Sequence, residues 1–183
     1  QDNYNGFEKR HDHGELISRD SIHLDSTQVY ETFGKERKVY GGGGIMPDYF
    51  VPMDTTKYTA YHRALAAKGS IIQASLRYLD ENREELVSKY RSIEEFDDKF
   101  VVDDRYMTIL REQALKDSVE LKGGDEELAR TLPELKKQLK MYIARDLWDM
   151  SEFIMLYNKY SDSFQKAYEL VRCKNMDKML LKK

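Results

Sequence analysis

With a single cysteine, Cys173, the chain has no means of closing an internal disulfide, so its fold has to be held by packing and hydrogen bonds. Among helix-forming neighbours this thiol is expected to act as a small buried or half-buried side chain. Long apolar runs are also missing. No stretch approaches the roughly 20 residues of a membrane-spanning helix, and the Gln-Asp-Asn-Tyr start has neither the basic nor the apolar part of a signal peptide. An excess of positive charge is absent: the formal net charge is −3, without a basic patch, which argues against nucleic acid as a partner. What remains is a chain of 183 residues, 34% charged and 40% hydrophobic. That balance fits a globular protein of one or two units with a real core, not a disordered chain.

Glycine and proline are sparse but concentrated. Tyr40 to Asp54 reads Tyr-Gly-Gly-Gly-Gly-Ile-Met-Pro-Asp-Tyr-Phe-Val-Pro-Met-Asp. Gly41 to Gly44 lack a Cβ and allow a sharp bend or close backbone approach. Pro47 and Pro52 bracket Asp48 to Val51, a run expected to form a strand at a sheet edge, where a missing N–H does least harm. A phosphate loop would continue into Gly-Lys-Ser/Thr, and a dinucleotide fingerprint into a helix. Ile45-Met46-Pro47 does neither, so the glycines read as a structural turn.

Before this block, Gln1 to Asp25 is polar and without clear periodicity, and is expected to be a loose surface segment. Thr27 to Phe33 and Glu36 to Tyr40 flank Gly34-Lys35, which suits a two-residue hairpin turn with glycine first. After Asp54 the pattern is helical. Thr55 or Thr56 is expected to cap a helix that stops at Gly69, and Ser70 to cap a longer one carrying Ile71, Ile72, Leu76, Leu79, Leu86 and Tyr90. Ser92-Ile93-Glu94-Glu95 is a capping box, and Asp103 or Asp104 opens a helix running to Val119. Gly123-Gly124 is expected to end that unit. Thr131-Leu132-Pro133-Glu134 then reads as a second capping box with proline in the first turn. Behind it Leu135, Leu139, Tyr142, Ile143 and Leu147 form an amphipathic stripe. Two further helices carry Phe153, Leu156, Tyr157 and Tyr160, then Phe164, Ala167, Tyr168 and Val171, and the last three helices are expected to pack as an antiparallel bundle. Lys178 to Lys183 is expected to fray. The fold class is therefore mainly α with a small β element (α+β), in three stretches: 1–54, 55–122 and 123–183.

Several constellations have a chemical reading beside a plain one. Ser163-Phe164-Gln165-Lys166 matches the S-x-x-K nucleophile motif, but the companion S-D-N and K-T-G motifs are absent, and roughly one such match arises by chance, which favours helical surface. His11 and His13, with His23 nearby, have imidazoles that suit a divalent metal, yet no rigid scaffold or cysteine pair supports them, so a solvated loop is the better account. The acidic run Glu94 to Asp104 lacks the alternating ligands and central glycine of a calcium loop and reads as a helix face. The thirteen tyrosines suit helix seams or a contact surface. No catalytic, cofactor-binding or metal-ligating residue is assigned.

Arg37-Lys38-Val39-Tyr40, the four glycines and Ile45-Met46-Pro47-Asp48-Tyr49-Phe50-Val51-Pro52 together resemble the end of the peptidase core in the carboxyl-terminal processing (tail-specific) serine proteases, in the branch found in Bacteroidetes-type bacteria. His13-Gly14-Glu15-Leu16, Ser18-Arg19-Asp20-Ser21-Ile22 and Ala144-Arg145-Asp146-Leu147-Trp148 are similar to flanking parts of that branch. The resemblance implies a secreted serine endopeptidase in the periplasm or cell envelope, using a Ser/Lys mechanism without a cofactor. Its catalytic Ser and Lys, a supporting Gln and a PDZ domain would all lie upstream of the glycine block. Phe33-Gly34-Lys35 is followed by Glu36 and is no catalytic-lysine segment, so this stretch is expected not to hydrolyse peptides alone. The partners implied are the upstream peptidase and PDZ domains of the same polypeptide, protein substrates of the whole enzyme, and a second copy in a homo-oligomer. The competing expectation is a free-standing helical interaction module whose glycine block is only a turn.

Overall fold

A computed structural model describes residues 3–22, 28–33, 38–41, 47 and 49–173. It divides into two compact units, Gln1–Thr55 with Lys166–Lys183, and Thr56–Gln165. The described residues form eight α-helices and one two-stranded antiparallel sheet, a mainly helical chain with a small β element.

The first unit opens with α1 (Asn3–Asp12), where the composition predicts a loose segment. Capping, more than an apolar stripe, defines this helix. Lys9, Arg10 and His11 lie in its last turn, where positive charge suits the helix dipole. Gly14 then takes φ +75° and closes it, with Glu15 N–H donating to the Arg10 carbonyl and Gly14 N–H to that of His11, both at 3.0 Å. Strands β1 (Val29–Glu31) and β2 (Lys38–Tyr40) pair as Val29 with Tyr40, Tyr30 with Val39 and Glu31 with Lys38. That register is centred between Gly34 and Lys35, as a two-residue turn there requires; the turn lies outside the described residues. At Gly41 a Cβ would stand 2.5 Å from Gln28 Oε1 and 2.9 Å from Gln28 Cβ, so the backbone approach at the end of β2 needs glycine. The edge strand expected over 48–51 does not form: residues 49–51 are irregular and Asp48 lies outside the described residues. Met53 N–H donates instead to the Leu16 carbonyl at 2.9 Å.

The second unit holds α2 (Ala60–Ala67), α3 (Ser70–Lys89), α4 (Ile93–Lys99), α5 (Asp104–Lys116), α6 (Gly124–Leu147) and α7 (Met150–Tyr160). Helix α3 packs against α5 and α6, α2 against α3 and α6, and α7 against α6. Residues on both sides of Gly123 therefore share one core, including Leu65, Ile71, Leu79, Phe96, Leu110, Leu135, Leu139, Ile143 and Leu156. Each such side chain contributes about 1.5–3 kcal/mol by leaving water. Phe96 anchors an aromatic cluster, stacked on Phe100 at 4.5 Å and edge-on to Tyr90 at 5.3 Å and Trp148 at 5.4 Å.

The helix ends show which local signals prevailed. Thr59, not Thr55 or Thr56, caps α2, accepting from His62 N–H at 3.2 Å. Its hydroxyl also lies 2.6 Å from that of Thr131, a tertiary contact that fixes the start. Gly69, at φ +74°, precedes α3, and the Ser70 hydroxyl donates to Asp117 Oδ2 at 2.6 Å in place of capping. Leu76 lies on the outer side of α3 and is exposed. Ser92 and Asp103 cap α4 and α5 as their sequences indicate, although Glu95 of the capping box accepts from Arg91 N–H and not from that of Ser92. Helix α5 ends at Lys116, and the following turn uses Ser118 at φ 56°, a position that ordinarily favours glycine.

The largest departure is at α6. Gly123 and Gly124 open this helix, which runs through Pro133 without a break. Thr131 is an interior residue, with its hydroxyl donating to the Glu127 carbonyl at 2.7 Å. The expected second capping box is therefore not a helix start. Phe153 and Tyr160 of α7 pack on the core around the buried Leu156, while Tyr157 is exposed. Helix α8 (Asp162–Arg172) spans the division between the two units and buries no residue; Phe164, Ala167, Tyr168 and Val171 of its expected stripe are exposed. Cys173, just beyond it, is exposed rather than half-buried because the helix before it offers no core face. Lys178 to Lys183 lies outside the described residues. No helix among the described residues is long and apolar enough to cross a membrane.

Candidate interaction surfaces

Two places carry features beyond simple packing, one in each unit. In the hairpin, side chains alternate across the ribbon, so the Val29/Tyr40 pair lies on one face and Tyr30/Val39 on the other. Each face thus carries a β-branched and an aromatic residue, and Val29, Tyr30, Phe33 and Val39 are all exposed. A ribbon that faces water on one side normally has one polar face, and a lone two-stranded hairpin is marginal in water. The third pair, Glu31 with Lys38, falls on the Val29/Tyr40 face and makes it mixed, so neither face is wholly polar and the Tyr30/Val39 face is the more apolar one. The glycine block continues from it at Gly41; Gly42 to Met46 lie outside the described residues.

The second place is the polar seam between α2 and α6. Glu127 is 8% exposed, and its carboxylate accepts Tyr61 N–H and Gly123 N–H, each at 2.9 Å. Those two backbone donors hold its carboxyl below the usual range. Gly123 has to be glycine here, since a Cβ would stand 2.6 Å from Glu127 Cβ. One turn on is the Thr131–Thr59 contact, and two turns beyond that His62 Nε2 meets Gln138 Oε1 at 2.7 Å. Gln138 Nε2 donates to the Tyr142 hydroxyl at 3.4 Å, which leaves its oxygen to accept from His62 and makes the neutral imidazole the Nε2–H tautomer. His62 is 3% exposed, its Nδ1 is buried with no hydrogen-bond partner, and Tyr58 packs edge-on against it at 4.9 Å. Burial pulls its pKa below the ordinary value, opposed by the Gln138 bond and by the charge of Glu134.

This seam can position α2, but it contains no nucleophile beside a base. The buried hydroxyl of Tyr106 is equally unsuited: it donates to Ser75 Oγ at 2.6 Å, and burial raises its pKa far beyond the reach of ordinary bases. The S-x-x-K residues lie on α8 as helical surface. Lys166 pairs with Glu169 at 2.9 Å, which raises its pKa and holds it as an ammonium, and it sits over the Tyr49 ring at 5.2 Å. His11 and His13 are exposed, with His11 Nδ1 3.3 Å from Asp12; His23 lies outside the described residues. No group of three or more potential metal ligands occurs among the described residues. The acidic run serves α4 itself: Glu95 pairs with Lys99 at 2.8 Å, and Asp97 binds Lys140 at 2.9 Å and Lys159 at 2.6 Å, tying α4 to α6 and α7.

His62, Glu127 and Gln138 did not stand out in the sequence, because each is an isolated polar residue within a helical pattern. The one available signal was spacing: Glu127 and Thr131 extend the Leu135–Leu139–Ile143 stripe backwards at intervals of four.

Residues 61–149 are similar to a family of unknown function, DUF8443. The match begins within α2 and ends just after α6, so it takes in most of the helical core and the polar seam apart from Thr59, but not the hairpin. No curated protein and no solved structure matches the chain.

Proposed function

We propose that this chain is the non-catalytic C-terminal portion of a secreted carboxyl-terminal processing serine endopeptidase. In this reading the hairpin and glycine block complete the peptidase sheet, while the helices brace the core or mediate assembly into a homo-oligomer. The catalytic Ser and Lys, together with a PDZ domain, belong to the same polypeptide upstream of Gln1, and the enzyme works in the periplasm or cell envelope. The observation that carries the proposal is the hairpin with apolar residues on both faces, leading directly into the Gly-to-Pro-Asp block. The exposed Val29, Tyr30 and Val39 suit strands that join a larger, covered sheet such as an α/β peptidase core, with the charged Glu31–Lys38 pair at its rim. The separate core of Thr56–Gln165 agrees with a helical appendage, and it is also what a free-standing interaction module would have.

The genomic sequence upstream of the Gln1 codon separates the two. An open frame encoding a PDZ-like domain, a Ser and a Lys supports the peptidase reading. Expression of that whole frame should then give cleavage of an unfolded protein with a free C-terminal tail, abolished when the upstream Ser is replaced. If no such segment is encoded, the peptidase reading fails and the helical module stands.

A further inference from the structure

We propose that the seam between α2 and α6 is an acid-released latch, in which protonation of His62 frees residues 59–67 from α6 while the packing of α3, α5 and α6 persists. The inference does not depend on the peptidase reading. It rests on how unevenly α2 is held. Tyr61 and Leu65 are the only buried apolar residues of α2. Half-buried Ala64 adds a small apolar contact with the core, and the rest of the attachment is polar: Thr59 to Thr131, Tyr61 N–H to Glu127, and His62 to Gln138. Helices α3, α5 and α6, by contrast, contribute most of the continuous apolar core.

His62 is the member of the seam whose ordinary pKa, about 6.5, lies nearest neutrality. In the neutral ring Nε2–H is satisfied by Gln138, and Nδ1 carries only a lone pair. A second proton at Nδ1 creates a buried donor with no acceptor and a charge in a site 3% exposed. The groups facing the ring are few. From its own segment there is the Tyr58 ring, and from α6 Gln138 and Glu134. Glu134 favours the charged form, but it is already engaged by Lys137 at 2.6 Å and Lys57 at 3.5 Å. No charged group of α3 acts on the ring. Because the folded site disfavours the proton, α2 is fully latched above the unfolded histidine pKa of about 6.5. It loosens as the pH falls from there towards the lower folded value. Glu127 adds a second loosening only in the carboxylate range, at lower pH.

Amide hydrogen exchange between pH 7.5 and 5.0, corrected for intrinsic rates, tests the latch. Uptake of one proton on opening predicts that the opening constant of residues 60–67 rises by about tenfold per pH unit below about 6.5. Exchange in α3 and α5 should keep its neutral-pH protection. His62→Gln, which cannot titrate, should flatten the α2 response. In the unaltered protein, the His62 ring signal by NMR should titrate below the ordinary histidine value of about 6.5. The proposal is overturned if α2 exchange is independent of pH, if α3 and α5 open with the same slope, or if His62 titrates at or above the ordinary histidine value of about 6.5.

Discussion

Replacing Pro133 by alanine should stabilise the protein. Pro133 is the tenth residue of α6 and is exposed, so its ring contributes little packing. It cannot donate to the Ala129 carbonyl one turn earlier, and its ring crowds that carbonyl. In a helix interior proline is about 3 kcal/mol less favourable than alanine. The surrounding helix has already adapted to the ring, and alanine frees the unfolded chain, so the recoverable part is about 1–3 kcal/mol. Thermal unfolding followed by circular dichroism should show this as a rise of roughly 2–4 °C for each kcal/mol. Amide exchange should show residues 127–130 protected in both forms. A midpoint that stays put or falls, with residues 127–130 unprotected, would refute the reasoning. It would mean that Thr131 caps a helix beginning at Leu132, where proline in the first turn does no harm.

Ser118→Gly should raise stability by about 1 kcal/mol, read from urea unfolding, because φ 56° is strained for serine; an unchanged midpoint would show that the turn relaxes without cost. Asp97→Ala should cost about 1–2 kcal/mol and Lys159→Ala much less, since Lys140 is 12% exposed and loses its carboxylate, keeping only the backbone carbonyl of residue 97, whereas Lys159 lies at the surface; equal effects would contradict that division. Burial opposes ionisation of Asp97, but bonds from Lys159 and Lys140 outweigh it and depress its pKa, so this contribution is present above about pH 4 and is lost as the pH falls through the folded value; a midpoint difference between Asp97→Ala and the parent that persists well below that would be inconsistent. Gly123→Ala should lower the unfolding midpoint because its Cβ collides with Glu127, and a silent substitution would show that the carboxylate grip on Tyr61 and Gly123 is dispensable.

Where the signal was local, the sequence was readable. Ser92 and Asp103 cap their helices with side-chain geometry that needs no distant partner. Strands β1 and β2 pair where the alternation on either side of residues 34–35 places them, and the Leu135–Leu139–Ile143 stripe becomes core. Errors arose where a local signal competed with a tertiary one. Thr131 and Pro133 form a plausible start in isolation, but Thr59 engages the Thr131 hydroxyl and the preceding turn, with Glu127 gripping two backbone amides, belongs to the same helix. Ser70 similarly gives up its capping role to Asp117, which is 47 residues away. Helix α1 has no apolar period to mark it in the sequence, and its end is defined by the closure at Gly14. The polar seam could not be read beforehand, since its partners lie between 66 and 76 residues apart.

That seam also gives α6 a scale along its length. Leu135, Leu139 and Ile143 are similar in size and one turn apart, so α2 shifted by one turn, about 5.4 Å, would still meet an aliphatic surface. Oil alone does not count turns. The carboxylate at 127, the hydroxyl at 131 and the amide at 138 differ in chemistry, and each has one matching group on α2, so only one axial position satisfies all three. Substitutions that keep the leucines but erase these marks should therefore yield a protein that is compact yet mis-indexed, with α2 sampling neighbouring positions on a bundle of ordinary helical content.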